Sequence, residues 1–478
     1  MSNGHSFSMI LPRIFSASAA ALLASTPALA QHYGEPSKLK DFVSRDEVLV
    51  NAVAIDRSGF RSSQLAELPW SDTYWPDVQG SIASPYNVSN ASHIPLFWGL
   101  NNGFFSSRDA SIWSQPVSSL DAATVDDMSP AEKYDLLLGD SGFTLSRQVI
   151  AMVRELYKDN QTATWSGVCH GWSPASLNLA RPLKAFTVNS AAGIPITFYP
   201  ADVRALSSFL WGKSYAQDYV KIEGWQCKKG VPSTDNNGRL KDPECFDVNP
   251  GFFHLLLVNQ IGLNRQGMIM DRASSSKIMN QPVYGYSFSY YNPNTRMEAS
   301  SFESALVRKE DFGNDPFPGW RSPRTRAVVG VETKVFFRNE KNPTHDRVNR
   351  PEDDEKETLV IQYDLELDEN LDIVGGEWRD YDKGRYGNDG GFPNFGGIVN
   401  ESSNRPRPDF VWLTPPGLKA WSVGDFDLAG SEWDGTTPAP QAWRDAAAKA
   451  ARNINRQGKH QPQPLARVVD LLIDMSRK

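Results

Sequence analysis

The division of three cysteines, Cys169, Cys227 and Cys245, constrains the fold of this 478-residue chain more than any other feature. Cys227 and Cys245 bracket a polar, turn-rich stretch running through Lys228-Lys229-Gly230 to Asn236-Asn237-Gly238, with only Val231 and Leu240 to bury. Such a loop cannot order itself by burial, so a cross-link across it is expected. Closing a loop of this size contributes about 3 kcal/mol in the chain-entropy picture. In an exported protein an odd count means one pair and one free thiol. Cys169 is then the free one.

The N-terminus reads as an export leader. Arg13 supplies a positive charge, Ile14 to Leu29 are apolar or small, and Ala28 and Ala30 form a small-x-small cleavage pattern. The mature chain is expected to begin near Gln31, secreted or periplasmic, in an oxidising compartment. No later segment reaches the ~20 apolar residues of a membrane span, so stable membrane insertion is not expected. Apolar residues make up 40% and charged residues 22%, with a net charge of −7 and no Lys/Arg block. That excludes nucleic acid as the main partner.

Cys169 stands in Trp165-Ser166-Gly167-Val168-Cys169-His170-Gly171-Trp172. Gly167 and Gly171 permit close approach, and Ser173 to Ala180 can form a helix directly after the thiol. A thiol at a helix N-terminus is expected to be acidified. Cys169 is therefore the expected nucleophile, and a cysteine nucleophile generally needs a histidine. His5, His32, His93, His345 and His460 lie in the leader, the frayed terminus or polar stretches, and His170 adjoins the cysteine. His254 opens the apolar run Phe253 to Val258, which reads as a buried strand. A turn centred on Gly262-Leu263 would return Met268 to Arg272 antiparallel and set Asp271 opposite His254 as the orienting carboxylate. The oxyanion would be held by the Cys169 N–H, with the Trp165 indole as a candidate second donor. Gly167, His170 and Trp172 belong to the same candidate substrate and oxyanion region.

The chain order Cys–His–Asp is that of the papain/transglutaminase superfamily. The expected fold is α+β, a papain/transglutaminase-like core with an antiparallel sheet, a β-rich C-terminal part and a terminal helix. The expected divisions are a signal peptide (1–30), a loop-rich N-terminal segment (31–128) and a catalytic core (129–298). A β-rich continuation (299–435) and a C-terminal helical segment (436–478) follow. Ser129, Pro130 and Glu132 mark a helix start. Residues 144–157 and 465–473 read as amphipathic helices, 326–337 and 359–367 as strands, and 372–378 as the return of a hairpin. The charged run 350–357 reads as a solvated loop.

Four segments resemble the transglutaminase elicitor family of oomycete cell-wall and secreted bacterial proteins. They are the cysteine motif, the His254 segment with Asp271, Leu68-Pro69-Trp70-Ser71-Asp72-Thr73-Tyr74-Trp75-Pro76, and Asn280-Gln281-Pro282-Val283-Tyr284-Gly285-Tyr286. The last is similar to the family's plant-recognised peptide, with Met279 and Tyr284 where that peptide has Trp and Arg. From the residues alone it reads as an aromatic core strand. The resemblance implies protein-glutamine γ-glutamyltransferase activity: protein glutamine as acyl donor, a primary amine as acceptor, and Cys169, His254 and Asp271 as catalytic residues. A secreted cysteine peptidase or glutamine deamidase uses the same groups, so that reading stays open. So does a non-catalytic host-interaction protein on the same fold.

No cofactor is expected. The alternating acids Asp364, Glu366, Asp368 and Asp372 invite calcium but lack the glycine of a calcium loop, and they fit the polar face of a strand better. Calcium stays open with no site assigned. Gly212-Lys213-Ser214 lacks the first glycine of a phosphate loop. Gly171-Trp172-Ser173-Pro174-Ala175 lacks the last glycine of a serine-hydrolase elbow.

Overall fold

A computed structural model describes residues 32–86, 98–159, 162–214, 220–229, 233, 235, 239–272, 277–379, 407–414, 432–452 and 464–478. The expected leader, its cleavage point, His93 and His460 lie outside these residues.

The helical part comes mostly from the first half of the chain. Short helices α1 (Leu39–Val43) and α2 (Ala52–Arg57) precede α3 (Trp98–Arg108) and α4 (Ala122–Asp126). Next come α5 (Pro130–Leu137), α6 (Thr144–Leu156), α7 (Cys169–Asn178), α8 (Pro200–Phe209) and α9 (Pro250–Leu256). Helix α10 (Phe302–Ala305) is a single turn, and α11 (Gln441–Arg452) and α12 (Leu465–Arg477) close the chain. The sequence signals at α5 are real ones. The Ser129 side chain accepts from the Glu132 N–H, the Glu132 carboxylate accepts from the Ser129 N–H, and Pro130 takes the first helical position.

The sheet comprises β1 (Ser62–Gln64), β4 (Lys221–Gly224), β5 (Met268–Asp271), β6 (Asn280–Tyr291), β7 (Glu298–Ala299), β8 (Val307–Arg308), β9 (Ala327–Arg338), β10 (Lys356–Leu367), β11 (Ile373–Arg379) and β12 (Phe410–Leu413). Its main path runs β11-β10-β9-β6-β5-β12-β4, and every pairing is antiparallel. A separate hairpin joins β2 (Phe186–Asn189) to β3 (Pro195–Phe198). The architecture is α+β. One sheet joins strands from both sides of residue 298, so the expected core and its β-rich continuation share a single layer.

Two main cores pack the described residues. Helices α5 to α8, α11 and α12 fill one with Trp70, Trp172, Leu206 and Leu472. The other packs α1, α2 and α9 against Met270, Val283, Phe288, Val331 and Tyr363. Side chains alternate across a strand. Met268 and Met270 therefore face α9, while Ile269, Phe410 and Trp412 face the side on which Leu177 of α7 packs.

Two expectations fail here. Residues 253–258 form no strand: α9 runs from Pro250 and continues as a wider helical turn to Leu263. Asn249 caps it by accepting from the Gly251 and Phe252 N–H groups, and Pro250 presets its first turn. A continuous apolar run does not distinguish a buried helix from a buried strand. The hairpin therefore does not exist, and β5 pairs with β6 and β12 instead. The charged run 350–357 is not wholly solvated either. Asp354 is buried, within 2.6 Å of Arg181 and 3.4 Å of Arg338.

Candidate functional site

Cys169 is the first residue of α7. Its helix is seated by the segment Trp70 to Trp75. The Val168 N–H donates to the Tyr74 carbonyl (2.6 Å) and the Trp172 indole to the Trp70 carbonyl (2.9 Å). Both flanking glycines are required by close approach. A methyl on Gly167 would overlap the Tyr74 carbonyl oxygen. One on Gly171 would overlap the Ser208 carbonyl and come within 2.5 Å of the Gly212 nitrogen. Asp72 ties the same segment to α8 by accepting from Trp75 Nε1 (2.9 Å) and Ser208 Oγ (3.0 Å), and burial pushes its carboxyl up to about 6.

On the sheet side, Asn280 of β6 meets the thiol. Its side-chain Nδ2 donates to Cys169 Sγ at 3.6 Å. Its Oδ1 accepts from the Trp412 indole at 2.8 Å, and its carbonyl accepts from Ser173 Oγ at 2.7 Å. Asp271 is the register partner of Asn280 on β5 and shares its face. The Asp271 carboxylate accepts from the Met279 N–H (2.8 Å) and acts electrostatically on the thiol.

Burial pushes the Cys169 thiol up to about 11, although the Asn280 amide and the Asn280 N–H both pull it down. Glu340 and Asp271 add to the rise. The direction is opposite to the acidification expected at a helix start, and its largest cause is desolvation at 8% exposure. Glu340 follows β9, where the Lys341 N–H donates to the Asp72 carbonyl (2.9 Å). Burial raises its carboxyl to about 7 against the pull of Arg272. Tyr74, raised to about 12 by burial, also feels Glu340 and Cys169. Cys169, Glu340, Tyr74, Asp271 and Asn280 therefore form one electrostatic neighbourhood.

His254 is not part of it. Its Nδ1 lies 2.9 Å from Tyr363 Oη, and its ring stands edge-on to Phe288 at 4.6 Å. Those partners face the α9 core, whereas Asn280 and Cys169 face α7, so the sheet separates the imidazole from the thiol. Burial lowers the His254 pKa to about 3. The structure brings Cys169 and Asp271 together and leaves His254 out.

The remaining candidates divide. Trp172 is fully buried and its indole is spent on Trp70, which makes it a packing residue. Trp165 is half-buried on the turn before α7. His170 directs Nε2 toward the Gly212 carbonyl (3.1 Å). Cys227 and Cys245 are joined as a disulfide, and Cys169 is the free thiol. The segment Asn280 to Tyr286 is core strand: Asn280, Gln281, Val283, Tyr284 and Tyr286 are buried, Pro282 pairs with Ile269, and β9 flanks the segment with a register shift between Val283 and Gly285.

For a cation, the alternating acids are already engaged. Asp364 pairs with Arg321 and Arg379, Glu366 accepts from Thr325 and the Ser322 N–H, and Asp368 pairs with Arg324. Among the described residues Asp126, Asp127 and His345 bring ligand atoms within 4.8 Å of one another. No described helix is long and apolar enough to cross a membrane.

Asn280, Trp412, Glu340 and Tyr74 are the site residues that sequence reasoning missed as a group. Two of them lay in segments already singled out, Tyr74 in Leu68 to Pro76 and Asn280 in the elicitor-like peptide. Glu340 and Trp412 carry no local signal. The transglutaminase elicitor family matches residues 38–420, a span containing every one of these side chains. The chain belongs to the transglutaminase elicitor family. Among solved structures it is similar to the GP42 transglutaminase from Phytophthora sojae. The two are 19% identical with a TM-score of 0.48, covering 79% of this chain and 89% of that one. No curated protein matches the chain. In this member of the elicitor family, the elicitor-like peptide is the strand that meets the cysteine.

Proposed function

We propose that the chain is a secreted protein-glutamine γ-glutamyltransferase that works through a Cys169 thioester. The observation that carries the reading is the Cys169 thiol at the first position of α7 with the Asn280 amide donating to its sulfur. Family membership and the disulfide support the substrate class and the extracellular setting. The thiolate attacks the carboxamide carbon of a protein glutamine, forming the C–S bond. The carbon–nitrogen bond breaks, and the proton from the thiol leaves with ammonia. A primary amine then attacks the thioester, forms the isopeptide bond and returns the sulfur to the thiol.

Glu340 is the proposed proton carrier in place of a histidine. Its carboxyl, near 7, acts electrostatically on the Cys169 thiol, and a carboxyl tuned to that range exchanges protons in both directions. Burial of Asn280 to Tyr286 keeps those side chains from a receptor in the folded chain.

The test is incorporation of a labelled primary amine into a glutamine-rich acceptor, with a Cys169→Ala control. Incorporation abolished in the control is the expected result. Peptide cleavage or ammonia release without incorporation would make the chain a hydrolase.

A further inference from the structure

We propose that Asn280 is the hydrogen-bond donor that stabilises the Cys169 thiolate, and that Trp412 is the positioning residue that fixes Asn280 in the donating orientation. This rests on Cys169 being the nucleophile. A carboxamide presents an acceptor at one end and donors at the other. An indole N–H only donates. With Trp412 Nε1 at 2.8 Å from one end of the Asn280 amide, that end is the oxygen, and the –NH2 end faces the sulfur at 3.6 Å. The backbone of Asn280 is anchored from the other side by Ser173 of α7, at 2.7 Å from its carbonyl. Helix α7 therefore carries both the nucleophile and an anchor for the donor's backbone. Trp412 and Asn280 are buried, at 7% and 4% exposure, so neither hydrogen bond is diluted by water.

The arrangement meets a specific need. The titratable groups acting on the thiol are Glu340, beyond β9, and Asp271 on β5, and both disfavour a second negative charge. Arg272 and Tyr74 act on or feel Glu340, and His170 on α7 itself points to Gly212. Donation from Asn280, through its side chain and its N–H, is what opposes them.

The test is the pH profile of Cys169 alkylation by iodoacetamide in the intact, disulfide-bonded protein. Asn280→Ala should raise the inflection by about one pH unit, the size of a lost charge-assisted hydrogen bond. Trp412→Phe keeps an aromatic ring and releases the amide, so it should raise the inflection in the same direction by less. In amine incorporation, Asn280→Ala should lower kcat about 100-fold with KM little changed. An unshifted alkylation profile in a folded Trp412→Phe or Asn280→Ala variant overturns the assignment. If both variants shift the profile while the parent protein incorporates no amine, the transferase reading falls and the Asn280 assignment stands.

Discussion

At Cys169 desolvation and hydrogen bonding oppose one another, and desolvation wins, leaving the thiol near 11. Such a thiol attacks at neutral pH only if its proton is taken as attack proceeds. On the proposed mechanism that proton goes to Glu340, whose carboxyl burial raises to about 7. Amine incorporation should therefore rise as pH climbs through that value. Glu340→Gln should remove the limb and lower kcat by about 100-fold, within the usual range for a lost acid–base group. An unchanged profile in Glu340→Gln would contradict its role. His254 makes the opposite kind of contribution. Its folded pKa of about 3 lies below the ordinary 6.5, so both states are neutral at higher pH. As pH falls from 6.5 toward 3, the unfolded chain binds a proton that the folded chain refuses, and stability is lost. Between about pH 7 and about pH 5 the loss is at most on the order of 2 kcal/mol. His254→Gln should flatten that part of a urea-denaturation series and leave the alkylation profile of Cys169 unmoved.

Helix α7 is placed by close backbone contact at Gly171 as well as by the packing of Trp172. Gly171→Ala would force a methyl into the backbone of Ser208 and Gly212 and separate α7 from α8. It should cost about 3 kcal/mol or more and lower the melting temperature accordingly. Gly103→Ala is the matched control. That residue is exposed on α3 with nothing within 4 Å of the added carbon, so the change should stabilise by about 0.5–1 kcal/mol. The same contrast explains what was legible along the chain. Helix α5 announced itself through Ser129, Pro130 and Glu132, and α6 and α12 through apolar spacing at helical period. Helix α9 was hidden because its buried run has no polar face. Its cap, Asn249 with Pro250 at the first turn, is a short signal beside that apolar run. Once α9 is a helix, the pairing of His254 with Asp271 has no basis, and Asp271 keeps its place beside the cysteine through β5 alone.

Across the whole molecule the site is an assembly of distant pieces. The segment before α1 and the loop from Cys227 to Cys245 are tied to the sheet: His32 and Arg239 both meet Glu377, and the Cys227 N–H donates to Asp409. Replacing Cys227 and Cys245 by Ala should cost about 3 kcal/mol of stability. Thiol titration of the unfolded, unreduced parent should find one free thiol per chain, whereas three would contradict the pairing. The disulfide and the free thiol were readable because cysteine arithmetic is local to the sequence. The donor, its clamp and the carboxyl near 7 were not. Asn280, Trp412 and Glu340 come from three strands or strand ends and converge only through the register of β5, β6, β9 and β12. The proposed reaction requires Cys169 to form an acyl-enzyme that is discharged by an amine. Incubation of the folded protein with a glutamine peptide, without amine, followed by intact-mass measurement tests it most directly. The expected result is an adduct equal to the peptide less ammonia, mapped to Cys169 and discharged by added primary amine as an isopeptide product. An adduct that maps elsewhere, or none while amine is still incorporated, would contradict it.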